Sequence, residues 1–182
     1  MSEKTTLRGG NPLAAVRKEY IKWTAYGLLL LAAFLLQSAP HALQIAGAKP
    51  LLLVPLVVAI ALFTGPIGGG AAGAAAGFLW DVYADCLPGF HGLFLLVIGC
   101  GCGLLVVLLM RNNLLTAVLL CAGALVLQVL YDWGLSYLLL GYDRPFAALW
   151  YTYLPCALYT RLVSPVIYAV TLIVTRVLRR GD

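Results

Sequence analysis

One long apolar stretch after another, with only scattered charges between them, leaves this chain few ways to fold. The stretches cover residues 23–40, 50–64, 67–83, 90–110, 114–140 and 154–178. Each approaches the ~20 apolar residues, in a range of ~17–25, that a helix needs to cross a bilayer. The second and third are short, and Gly65-Pro66 is the break that divides them. Pro50 suits a helix start, where its missing N–H is no loss. Hydrophobic residues make up 63% of the chain and charged residues 10%, and mean hydropathy is +0.96. A soluble domain of this length needs more charge to cover its surface. The expectation is an all-α integral membrane protein, a bundle of six transmembrane helices spanning 23–178. It is flanked by a cytoplasmic and interfacial segment, 1–22, and a cytoplasmic tail, 179–182.

The formal charge of +5 does not point to nucleic acid. The basic residues sit beside apolar segments, and none forms a run interleaved with aromatics, so their partner is the bilayer. With an N-terminus inside and six spans, the inner side receives Lys4, Arg8, Arg17, Lys18, Lys22, Arg111, Arg176, Arg179 and Arg180. The outer side receives Lys49 and Arg144. That asymmetry follows the positive-inside rule, whereas five spans would put the C-terminal arginines outside. Residues 11–22 read as a surface helix turning Leu13, Val16, Tyr20 and Ile21 to lipid. A signal peptide cut near Ala46-Gly47-Ala48 is the competing reading of this start, but the charged lead is long and the cut lies far beyond the apolar core. Residues 145–153 read as an interfacial approach to the last span. Tyr131, Trp133, Tyr137, Trp150, Tyr151 and Tyr153 read as headgroup-level aromatics.

Gly65, Gly69, Gly73 and Gly77 recur at four-residue steps, and Asp81 takes the next place. Such steps trace a ridge along one side of a helix. A ridge without side chains admits another helix at close range, as membrane helices require to associate. The ridge is read as an internal seam, with Gly99 and Gly103 as the matching groove. A docking face for a partner's helix is the other reading. Asp81 and Asp85 lie near the outer end, where a carboxylate needs a partner or water. Loop amides after Pro88-Gly89 and the ring of His91 are the expected partners, and a proton or ligand site at Asp81 is the other reading. Asp132 and Arg161 are each placed about 10 Å below the outer surface and are expected to pair there.

Cys100, Cys102, Cys121 and Cys156 fall inside spans as packing residues. Cys86 has no loop partner for a disulfide, and Cys100-Gly-Cys102 diverges on a helix, which excludes a shared metal. Hydrolase, metalloprotease and phosphate-loop motifs are missing. No catalytic role and no cofactor are expected.

The segments Gly77-Phe78-Leu79-Trp80-Asp81 and Gly89-Phe90-His91-Gly92-Leu93 resemble the central signature of the rod shape-determining MreD family. Lys49-Pro50-Leu51 and Gly65-Pro66-Ile67-Gly68-Gly69 look like its earlier parts. Leu154-Pro155-Cys156-Ala157-Leu158-Tyr159 and Val163-x-Pro165-Val166-Ile167-Tyr168 look like its last helix. The likeness covers about 20–180. Thr160-Arg161 departs from the Asn often found after the Tyr, and Trp80 stands where an aliphatic residue is usual. The resemblance implies a non-catalytic scaffold in the bacterial inner membrane. Such a protein binds single-span MreC and acts alongside MreB, RodA and a class B penicillin-binding protein in lateral peptidoglycan synthesis. The family's architecture is also similar to that of the substrate-binding subunits of energy-coupling-factor vitamin transporters, the alternative function. Small residues cluster in the third and fourth stretches, and polar residues suited to a vitamin pocket are few.

Overall fold

A computed structural model describes residues 12–39, 50–83, 89–108, 113–138 and 154–180. The described residues form five α-helices and no strand: α1 (Pro12–Ser38), α2 (Leu53–Tyr83), α3 (Phe90–Leu108), α4 (Leu114–Leu138) and α5 (Leu154–Arg180). All five contain segments long and apolar enough to cross a membrane, so the chain reads as a multi-pass membrane protein. Asp85, Cys86, Lys49, Arg111, Arg144, residues 1–11 and the aromatic run 145–153 lie outside the described residues.

One helix boundary corrects the sequence reading. The surface helix expected over 11–22 does not end before the first span. It continues into it as one helix, α1, with Pro12 in the first position, where proline is tolerated. Glu19 joins the two parts, accepting from Lys22 Nζ at 3.2 Å and from Trp23 Nε1 at 2.9 Å. The break expected between the stretches 50–64 and 67–83 is present. The segment labelled α2 joins two helical legs at Gly65 (φ 78°, ψ −170°), where the backbone leaves the helix. Only glycine takes that backbone freely, and Pro66 then restarts the helix with no N–H to waste.

The interruption reverses the chain. A Cβ on Gly69 would lie 2.5 Å from the Cβ of Ala61, whereas eight residues along a straight helix are about 12 Å apart. The legs 53–64 and 66–83 therefore run side by side. Residues 53–62 are buried on every face, the mark of a helix enclosed by others. The leg packs at the centre, with α2 touching α1, α3, α4 and α5. Its entry is held by side chains from both flanks. Leu51 N–H donates to Thr160 Oγ1 on α5 at 2.9 Å, and Leu53 N–H to Gln37 Oε1 on α1 at 3.2 Å. Open amides at a helix start need such acceptors where water is scarce.

The second leg and α3 form an antiparallel pair. Along it, Gly65 and Pro66 face Gly103, Gly69 faces Gly99, Gly73 faces the backbone of Leu95 and Leu96, and Gly77 faces His91 and Gly92. Backbone meets backbone at every step, so the ridge is occupied within the chain, and Gly92 and Leu95 extend the groove. Helix α5 turns a hydroxyl stripe inward: Thr160, Ser164, Thr171 and Thr175 are buried. Each donates to a carbonyl three or four residues earlier, at 2.7–2.8 Å, which satisfies it without water. Thr175 also meets Tyr26 Oη at 3.0 Å. Since the threonine proton is spent on Thr171, the tyrosine is the donor. That bond sets the middle of α1 level with the last turns of α5. The opposite, outward surface is apolar, with Leu28, Val97, Leu115, Leu162 and Val177 among its exposed side chains.

Candidate functional site

The polar side chains that α2, α3 and α4 bring together lie where the second leg of α2 ends and α3 begins. Asp81, one step beyond the glycine ridge, is 3% exposed. Its Oδ2 accepts from the backbone N–H of Gly89 at 2.8 Å and of Gly92 at 3.2 Å. Its Oδ1 accepts from His91 N–H at 3.0 Å and lies 2.8 Å from His91 Nδ1. The carboxylate thus caps the first turn of α3 from the preceding helix. Both the open amides and the helix dipole favour a negative charge there. The close approach of Gly77 to Gly92 makes this reach possible.

His91 is then fixed from three sides. Its ring stacks on Trp80, with centroids 5.1 Å apart and planes 6° from parallel. Its Nε2 lies 3.3 Å from Asp132 Oδ1 on α4. That oxygen also accepts from Gln128 Nε2 at 2.9 Å. Gln128 is fully buried, and its Oε1 meets no donor among the described residues. Tyr131 closes the cluster, donating to Phe90 O at 3.0 Å and stacking on Phe94 at 3.9 Å between centroids.

Asp81 and His91 meet as the spacing implied. Asp132 does not meet Arg161, and its partners are His91 and Gln128. The α4–α5 register explains this. Ser164 reaches Cys121, which places Arg161, three residues earlier on the antiparallel helix, near the level of Ala124. Asp132 therefore lies about 12 Å further along the bundle at 1.5 Å per residue. Equal depth estimated from helix ends missed this offset. Trp80 and Gln128 were missed as well. Gln128 stands one turn before Asp132 on the same face, a spacing that marks it as a helical neighbour.

No protein-family model, curated protein or solved structure matches the chain.

Chemically, the array is an imidazole between two carboxylates. A neutral imidazole donates from one nitrogen and an imidazolium from both, so the cluster can hold a proton shared along Asp81, His91 and Asp132. Both ring nitrogens face carboxylate oxygens, which leaves neither free to serve as base to a hydroxyl or thiol. Among the described residues, no His, Cys, Asp and Glu side chains converge as a metal ion requires. Cys100 donates to Pro66 O at 3.2 Å, while Cys102 packs in the apolar core.

Proposed function

We propose that the chain is a non-catalytic membrane scaffold of the MreD kind, in the cytoplasmic membrane of a bacterium. It binds a single-span MreC-like protein. With MreB, RodA and a class B penicillin-binding protein it supports lateral peptidoglycan synthesis and rod shape. One observation carries the reading. The two segments that bear the resemblance, 77–81 and 89–93, close on each other. Gly77 lies against Gly92, and the Asp81 carboxylate takes the amides of Gly89, His91 and Gly92. Together they fix a stiff helical hairpin, which is what a surface presented to a partner helix needs. The engagement of both His91 nitrogens fits a framework better than a catalyst.

In the same reading α2 crosses twice, because its chain reverses at Gly65. That makes six crossings with both ends cytoplasmic, in keeping with the basic ends of the chain. The short central leg is tolerated because protein, not lipid, surrounds it. Ile67, 87% exposed beside the reversal, tests the topology. Ile67→Cys in an otherwise cysteine-free chain should react with a membrane-impermeant maleimide from the cytoplasmic side alone. Silence from both sides means that α2 does not surface there.

Affinity purification in mild detergent tests the function. Recovery of a single-span MreC-like protein supports the scaffold. Recovery of paired ATPases and a coupling subunit replaces it with the transporter reading.

A further inference from the structure

Helices α4 and α5 leave an outward groove of about 290 Å³ between them. Leu125, Val126 and Val129 line one wall and Leu154 and Ala157 the other, with Arg161 at the deeper end. Arg161 is the groove's sole ionisable lining residue, it is exposed, and no carboxylate pairs with it among the described residues. It lies seven residues into α5, about 10 Å along the axis from the helix start. Side chains on a helix lean toward its N-terminus, so the guanidinium rises along the groove toward the nearer membrane surface. An unpaired cation at membrane depth is costly and draws an anion or headgroup to itself.

The geometry points to a binding site for one anionic phospholipid, its phosphate on Arg161 and an acyl chain in the groove. Charge complementarity selects this occupant. The groove opens to the bilayer, where phosphate is the anion always within reach and Arg matches it bidentately. The apolar walls match the chain below the headgroup. The site stands independently of the scaffold reading, since it uses neither the glycine seam nor the Asp81 cluster.

The test is native mass spectrometry of the full-length protein released from nanodiscs holding equal phosphatidylglycerol and phosphatidylcholine. The wild type should retain phosphatidylglycerol roughly fivefold over phosphatidylcholine, the ratio expected of one partly exposed ion pair. Arg161→Leu, which sets an apolar side chain against lipid, should bring the two to parity. Arg161→Lys should keep part of the preference. Ala157→Phe fills the groove and should lower retained phosphatidylglycerol with the charge intact, which decides the matter if Arg161→Leu does not fold. Equal retention by the wild type, an undiminished preference in Arg161→Leu, or unchanged retention in Ala157→Phe overturns the site and leaves the groove as ordinary lipid or partner-helix contact. Displacement of the lipid by soluble glycerol phosphate also overturns it, as the mark of a free-phosphate site.

Discussion

Gly69 on α2 and Gly99 on α3 meet backbone to backbone: a Cβ on Gly69 would stand 2.5 Å from the carbonyl oxygen of Gly99. Backbone cannot yield as a flexible side chain does. Gly69→Ala should therefore lower stability by about 1–3 kcal/mol, the usual cost of overpacking. Gly123, with nothing within 4 Å of its missing Cβ, supplies the control. Gly123→Ala should be neutral or stabilising by up to about 1 kcal/mol, from helix propensity. Thermal unfolding in detergent compares the two, and equal effects would refute the seam.

Asp81 takes several donors at once, so its loss strands them together. Each buried group left without a partner costs about 1–3 kcal/mol. Asp81→Ala should thus cost at least about 3 kcal/mol. Asp81→Asn keeps one acceptor oxygen and should cost less. If the two substitutions unfold at the same temperature, capping is not what Asp81 does.

Asp132 couples to His91 and not to Arg161. A double-mutant cycle with His91→Ala and Asp132→Ala should give a coupling of about 0.5–3 kcal/mol, as for residues in contact. The same cycle with Arg161→Ala should close within about 0.5 kcal/mol, as for distant sites. A large Asp132–Arg161 term would restore the pairing that depth alone suggests.

Thr160 accepts from Leu51 N–H while donating to Cys156 O. Thr160→Val keeps the shape and removes the acceptor, so it should cost about 1–3 kcal/mol. Thr160→Ser keeps the hydroxyl and should recover most of that. Hydrogen exchange at Leu51 reports the bond directly and should quicken in the valine variant only.

What was legible in the sequence was whatever short-range pattern controls. The four-residue spacing of Gly65, Gly69, Gly73 and Gly77 marks one helix side, and the short connection from Asp81 to His91 brings that carboxylate near that ring. The starts of α3, α4 and α5 at Phe90, Leu114 and Leu154 follow from where apolar runs resume. Long-range register was not legible. The offset between α4 and α5 depends on how Ser164 and Cys121 seat, and no local signal carries that. Nor did the apolar run of 50–64 reveal that Gln37 and Thr160 would cap it, since each is a lone polar residue on a distant helix. At Gly65-Pro66 the pattern marked the break correctly, and the glycine's backbone lets the chain reverse there.

The central leg of α2 has a consequence for biosynthesis. Its amide at Leu51 is met by an oxygen 109 residues later in the chain, and α3, α4 and α5, which enclose it, are all translated after it. During synthesis this short segment must therefore wait with its Leu51 amide unmet, within the insertion machinery or beside α1, whose Gln37 already accepts from Leu53. It reaches its final surroundings only when the last helix arrives. Truncation before α5 should leave that leg accessible to quality-control proteases, whatever the intrinsic hydrophobicity of the remaining spans.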